Sequence, residues 1–596
     1  MLQVVDESPQ MVTVEESPEK AELSRNASVQ SQRVLRHCLL ITAVCLLTFF
    51  AGLGRSAIGD SDEAFYAESA REMIESGDWL TPHYNYEYRF QKPILFYWLV
   101  AATYSVAGMS EAAARFPSAL AGLGLALLTY FAGRRWFGNR TGLIAGIIVA
   151  TNFGYFTIAR SALPDLPLAF FIALATWTLI EGVIEYDADT PERRREQRVW
   201  LLLAAAAMAL GVLTKGPVGV ALPIMVLIPL ALIRRRPWKP SSAGWFGVPW
   251  STFLWAAAAF LAIATPWFAA MTIHHGDAYL HRFFVGENLE RFATDRYNEP
   301  RSYGFYVPIV LGGLAPWTPF VFLWVRGAID VLKRQRKLSM REWQTILWAA
   351  VPLIFYTLSI GKQPRYILPV LPALALLAAR SLVHRMEHLP ARAPRHRSLA
   401  ICGTASAVVL LVLAFLLHRA RPLLFALSPV SGQIGVLVIV VAGIALALVS
   451  WFARHHWLPT ALAASSCATL LALHYCVYSG AGLEPVQRIA RLFAAERQHN
   501  EPSATHHVFV RNMVFYTGVK QSDLFDQEEA TKFLNRPERV LVVMPEDALV
   551  LLERAGVSVK RLASVLYFNP SGVRLRTLLS PEPAHDLETV WLVSNR

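Results

Sequence analysis

The sequence predicts an all-α polytopic membrane protein of about thirteen transmembrane helices, followed by a small C-terminal extracytoplasmic α/β domain. Three observations predict it. Apolar residues make up 54% of the 596 and charged residues only 17%, a balance outside the soluble range. Apolar runs of about 20 residues recur from Cys38 to Tyr478, each long enough to cross roughly 30 Å of hydrocarbon. Beyond residue 480 the composition changes, and short β-like runs alternate with helix-like segments.

The net charge of +12 resides in short loops between apolar runs. That placement fits the positive-inside bias of membrane proteins and excludes nucleic acid as the partner. Cys38, Cys45, Cys402, Cys467 and Cys476 all lie inside apolar runs without metal-ligand spacing. They are expected to be small buried hydrophobes with no disulfide framework.

Taken in order, residues 1–36 are polar and predict a disordered cytoplasmic tail. The span at about 37–53 acts as an uncleaved signal anchor in the plasma (inner) membrane. It sends the loop 54–112, with its juxtamembrane helices, to the outer face. Within that loop Asp60-Ser61-Asp62-Glu63 precedes a run of helix formers ending near Gly77-Asp78. This predicts a capped amphipathic helix with Asp62, Tyr66 and Met73 on one face. Tyr84, Tyr86, Tyr88 and Phe90 follow, then Gln91-Lys92-Pro93 and an apolar run from Ile94.

Whether Ile94–Gly108 spans decides the orientation of everything after it. If it spans, the basic loops around Arg134, Arg193, Arg234, Lys333 and Arg385 face outward; if it lies along the surface, all face the cytoplasm. Charge bias favours the second. The remaining spans then fall at about 113–133, 141–158, 165–184, 199–214, 217–233, 251–272, 304–325, 344–360, 365–383, 399–417, 432–453 and 457–478. This bounds a transmembrane domain at 37–480 and an outer α/β domain at 481–596. In the latter, Val508–Val510, Val540–Met544, Ser564–Phe568 and Thr589–Val593 read as strands, and Gln527–Leu534 and Glu546–Ala555 as helices.

With that topology the outer loops bring chemistry to one side. The first holds Asp60, Asp62, Glu63 and Lys92; the next two hold Arg160 with Asp165, and Lys215. The longer loops add His274, His275, His281, Arg282, Glu287, Asn288, Glu290 and Arg291, then Lys362, Arg365 and Tyr366. A few carboxylates among several Lys and Arg suit a cavity for a phosphorylated ligand, whose oxygens take charge-assisted hydrogen bonds. Plainer roles stand beside this one. Asp62 or Asp165 alone can start a helix, and Lys215 and Lys362 can snorkel from span ends. Arg282 and Arg291 can meet headgroups or pair with Glu287 and Glu290. The histidines have no clear metal spacing.

Five motifs occur in order: Asp62-Glu63-Ala-Phe-Tyr66-Ala-Glu68, Lys92-Pro93-x-Leu-x-Tyr97-Trp98, Arg115-x-Pro-Ser-Ala-Leu, Leu213-Thr-Lys-Gly-Pro and Lys362-x-Pro-x-Tyr366-x-Leu-Pro. Together, over residues 37–480, they resemble the lipid A aminoarabinose transferases and their relatives in the protein O-mannosyltransferase clan, polyprenyl-phosphate-dependent glycosyltransferases of the GT-C fold. The resemblance implies an enzyme that takes a sugar from a polyprenyl-phosphate carrier and passes it to a lipid, glycan or protein acceptor on the outer face. It assigns catalytic roles to Asp62 and Asp165, with Glu63 beside them. It assigns substrate and phosphate binding to Lys92, Lys215 and Lys362; Arg282, Arg291, Arg365, Tyr66 and Tyr366 are further candidates from the same loops. Aminoarabinose transferases carry Glu before Lys-Pro and His in a later loop, associated with a divalent metal. Here those positions are Gln91 and Asn288, so no metal or other cofactor is expected and the donor sugar is left open. Two other classes share many spans and membrane-edge charge: a transporter or flippase for a polyprenyl-linked sugar, and a non-catalytic lipid-binding scaffold.

Overall fold

The computed structural model describes residues 18–185, 190–234, 244–290, 301–335, 337–387, 397–424, 429–452, 454–478, 484–498, 500–569 and 574–596. Among these, nine helices are long and apolar enough to cross a membrane, and eleven crossings result if each of two bent helix pairs counts once. The protein is a multi-pass membrane protein. The bends fall within two of the expected spans. Asn139–Thr151 meets Phe153–Ala159 at 56°, and Tyr303–Gly313 meets Thr318–Lys333 at 113°. At the first, Asn152 leaves helical geometry and its side chain caps the second piece by accepting from Tyr155 N. The tail expectation is corrected: helix runs from Pro18 to Cys45, because Pro at the start followed by Glu, Ala, Leu, Gln and Arg favours helix over coil. Residues 1–17 lie outside the described residues.

The first loop contains the expected helix, Asp62–Ser76. Ser61 is its N-cap, Asp62 and Glu63 sit in the first turn where the helix dipole favours negative charge, and Gly77 closes it at φ 72°. A two-residue hairpin, His83–Tyr84 with Glu87–Tyr88, leads to Leu95–Ala107. At 13 residues that helix falls short of the roughly 20 needed to span. It packs instead against the Asp62–Ser76 and Glu111–Phe137 helices.

Two turns deliver charged side chains to the span ends on one side. Pro191–Lys215 and Val218–Ile233 are joined through Gly216 at φ 95° and Pro217. Gly211 and Gly219 face each other so closely that a Cβ on Gly219 would stand 2.5 Å from Gly211 C. Only glycine permits this backbone approach, and it fixes Lys215 at the hairpin tip. After Met340–Leu358, residues Pro364–Val370 form a 3₁₀ turn before the span continues. Tyr155 Oη donates to Leu368 O at 2.6 Å and Tyr306 Oη to Gln363 O at 3.2 Å, pinning the turn that carries Arg365 and Tyr366.

The C-terminal region folds around a five-stranded sheet ordered Gln521–Leu524, Ser503–His506, Leu541–Pro545, Glu588–Ser594, Lys560–Tyr567. The first three strands are mutually parallel, and Glu588–Ser594 runs antiparallel to both of its neighbours, Leu541–Pro545 and Lys560–Tyr567. The helices Gln527–Leu534 and Glu546–Arg554 lie where helix periodicity puts them. The strand expected at Val508–Val510 is displaced to Ser503–His506, since Val508 and Phe509 are buried in a turn, with His507 and Phe509 at φ 59° and 53°. This domain clasps the stretch before Asp62. Ala57 N donates to Glu484 at 2.9 Å, Ile58 N to Tyr516 Oη at 2.7 Å, and Arg511 N to Asp60 at 2.7 Å. Asn85 exchanges two bonds with the Gln521 backbone, at 2.8 and 2.9 Å.

Candidate active site

Four charged side chains from distant parts of the chain form one network. Arg365 pairs with Asp62 through Nη2 and with Asp165 through Nε at 3.4 Å. Lys215 Nζ contacts the other Asp165 oxygen at 2.5 Å and lies 4.8 Å from the Tyr366 ring centroid. Asp165 sits in the first turn of its helix, as expected of a helix start, yet both its oxygens are engaged by cations. Asp62 is not the N-cap, which is Ser61; its carboxylate is released for the network. The side chain of Asp62 is 38% exposed and that of Asp165 only 4%, so a ligand from outside meets Asp62.

Two further lysines flank the network. Lys92 Nζ pairs with Glu287 at 2.6 Å, both side chains buried. The partners are 195 positions apart, so their pairing depends on the fold. Lys362 is 3% exposed and donates to Ser359 O at 2.5 Å and Arg301 O at 3.2 Å. Among the described residues it pairs with no carboxylate. A buried ammonium held by two carbonyls and lying 5.6 Å from the Tyr303 ring centroid retains charge for an anion.

Glu63 points elsewhere. Its oxygens accept from Arg115 Nε at 2.8 Å, from Gly59 N at 2.9 Å and from Ala162 N at 2.9 Å. Arg115 also donates to the carbonyls of Leu53, Ser56 and Ala57. Glu63 is thus not brought into the network; its lone pairs hold Gly59, the Arg115 side chain and the turn at Ala162 together. The Arg-x-Pro-Ser motif was visible in the sequence, but its partner was not. Tyr66 is buried, its ring 5.3 Å from those of Phe96 and Tyr97, and Tyr366 lies 5.5 Å from Tyr356. Arg282 is partly buried in the segment His281–Glu290 and forms no ion pair with the described members of the network. Arg291 and the Asn288 side chain lie outside the described residues. His275 shares a hydrogen bond with Thr81 at 2.8 Å and packs on Phe90.

Just outside the network, burial raises the Asp60 carboxyl above its ordinary range, against the pull of the Arg511 N–H. Burial, with Asp60 nearby, pushes Asp523 up to about 6.

The residues present do not fit the divalent metal associated with the resemblance. Gln91 offers a neutral amide whose Oε1 is buried without a protein partner. Glu287 is neutralised by Lys92, and among the described residues no three His, Cys, Asp or Glu converge.

The family model for dolichyl-phosphate-mannose-protein mannosyltransferase matches residues 39–280. An uncharacterized protein of Aquifex aeolicus is 32% identical over 58% of this chain and 64% of its own length, so the chain spans somewhat under two thirds of that relative. The undecaprenyl phosphate-alpha-4-amino-4-deoxy-L-arabinose arabinosyl transferase of Aeromonas salmonicida is 30% identical over 67% of this chain and 70% of its own. The fold matches that of ArnT from Cupriavidus metallidurans, solved bound to undecaprenyl phosphate, with TM-score 0.70 at 23% identity, over 94% of this chain and 98% of that one. The chain belongs to the family of these arabinosyl transferases, within the GT-C polyprenyl-phosphate glycosyltransferases related to the protein mannosyltransferases.

Proposed function

We propose that this chain is an integral membrane glycosyltransferase that moves a sugar from a polyprenyl-phosphate carrier to a lipid, glycan or protein acceptor at the outer face of the plasma (inner) membrane. The observation that carries the proposal is the joining of Asp62, Arg365, Asp165 and Lys215 at the outer span ends. Two carboxylates and two cations balance, so an incoming phosphate competes with Asp62 for Arg365. Donor binding thereby frees the Asp62 carboxylate at the moment it is needed.

The chemistry is a single inverting displacement at the anomeric carbon. The acceptor oxygen forms the new bond as the bond from that carbon to the phosphate oxygen breaks, and the electron pair leaves on polyprenyl phosphate. Lys92, Lys215, Lys362 and Arg365 stabilise that developing charge. Asp62 takes the proton of a hydroxyl acceptor; if the acceptor is a phosphate, Asp62 orients it. Asp165 holds Lys215 and Arg365 in place, and Glu63 is a positioning residue.

The full crossing number is thirteen when Val218–Ile233 and Met340–Leu358 join the eleven, with the N-terminus cytoplasmic and the 481–596 domain outside. The test is to add a radiolabelled polyprenyl-phosphate sugar and candidate acceptors to the purified protein in vesicles. Transfer to acceptor supports the proposal; movement across the bilayer without transfer, or binding alone, overturns it.

A further inference from the structure

The outer domain contains a second cleft that the transfer reaction does not use, with a volume of 780 Å³. It lies beyond the C-terminal ends of two adjacent parallel strands, Ser503–His506 and Leu541–Pro545. From the first strand the chain turns to one side of the sheet, reaching Gln521–Leu524; from the second it leaves toward the opposite edge. Such a switch point opens a crevice in α/β sheets, where ligands bind.

The lining is rich in acceptors. Asp547 sits in the first turn of the nine-residue helix Glu546–Arg554, Glu588 begins the strand Glu588–Ser594, and His585 also lines the cleft. Among the described residues no lysine or arginine lines the cleft. Glu546 has Arg561 3.9 Å away, whereas Asp547 and Glu588 form no ion pair among the described residues.

A separate observation comes from the floor. His506 is 3% exposed, and its Nδ1 lies 2.9 Å from Leu524 O. A carbonyl only accepts, so Nδ1 carries the proton and Nε2 holds a lone pair. That nitrogen bonds to no described residue, and His506 lines the cleft. Burial lowers the affinity of this imidazole for a second proton, which keeps the lone pair available. The next residue, His507, is held at φ 59°, a costly backbone conformation of the kind concentrated at ligand sites.

An acceptor-lined, negatively charged cleft repels phosphate and suits a ligand carrying several O–H donors and an ammonium group. We infer that this cleft binds an amino-group-bearing saccharide, at a site separate from the phosphate network. Its location fits such a ligand. His585 follows shortly after Leu579, whose carbonyl accepts from Arg419 at 2.8 Å, so part of the cleft's lining is continuous with a segment that contacts the end of one late span.

The test is calorimetric titration of the full-length protein in phosphatidylcholine nanodiscs with a glucosamine disaccharide and with its fully N-acetylated, uncharged form. Wild type is expected to bind the amino form at least tenfold more tightly than the acetylated form. The Asp547→Asn/Glu588→Gln variant is expected to lose at least tenfold of the amino-sugar affinity while undecaprenyl phosphate binding stays unchanged. No binding by wild type, equal affinity for the two sugars, or full affinity in the variant each overturns the inference. The comparison of sugars uses wild type alone, so a variant that fails to fold does not remove the test.

Discussion

Asp62 and Glu63 are neighbours with opposite fates. One step along the first helical turn places Asp62 on Arg365, partly open, and Glu63 on Arg115, sealed. The difference predicts different responses to isosteric change. Arg115→Met leaves Glu63 buried without its cation and is expected to cost about 3–5 kcal/mol of stability. It should appear as a lower unfolding midpoint; a midpoint equal to wild type contradicts the locking role. Lys362→Ala removes a buried ammonium assigned to the donor phosphate and is expected to weaken donor binding by roughly tenfold or more. Unchanged apparent donor affinity takes Lys362 out of the phosphate site. Much of this was legible at the residue level: Asp62, Asp165, Lys215 and Arg365 were each candidates, and they meet. The pairings Lys92 with Glu287 and Glu63 with Arg115 were not, because a buried charge finds its partner through the fold and leaves no local spacing.

Among elements, the juncture between the outer loop and the C-terminal domain is where pH acts. Asp523 titrates near 6, above its ordinary 3.8, through burial first and the nearby Asp60 second. A carboxyl raised on folding binds its proton more tightly in the folded state. Its ionised form therefore weakens the fold above about pH 6, and the penalty is relieved as pH falls from 6 toward 4. Asp523→Asn removes the penalty. It is expected to raise the unfolding midpoint of the C-terminal domain at pH 7.5 and change it little at pH 4; a midpoint that falls at pH 7.5 contradicts this. Helices were the legible elements. The Asp62–Ser76 helix announced both its cap residues and its glycine stop, whereas the Gln521–Leu524 strand, polar and four residues long, carries no alternation to reveal it. The same holds for the bends at Asn152 and between Gly313 and Thr318, since a continuous apolar run looks alike whether straight or broken.

For the whole molecule, orientation depends on parity. On the proposed count of thirteen crossings, an odd number, the two termini are expected on opposite sides of the membrane provided that Leu95–Ala107 does not cross. Membrane-impermeant thiol labelling of single cysteines introduced at residue 3 and at residue 595, in a background with Cys38, Cys45, Cys402, Cys467 and Cys476 replaced by serine or alanine, is expected to modify only the latter from outside. Labelling of both from one side contradicts the topology. The architecture was legible because hydrocarbon thickness dictates run length. The convergence of the loops into one site draws on the clasp of the C-terminal domain on residues 57–61, whose partners lie 427 and 458 positions away and leave no local signal. The central claim is that Asp62 acts on the acceptor while cations hold the donor. It is tested most directly by Asp62→Asn in vesicles with a radiolabelled polyprenyl-phosphate sugar and acceptor. The account predicts donor binding close to wild type and transfer reduced by about 10²–10⁴-fold; transfer at the wild-type rate would contradict it.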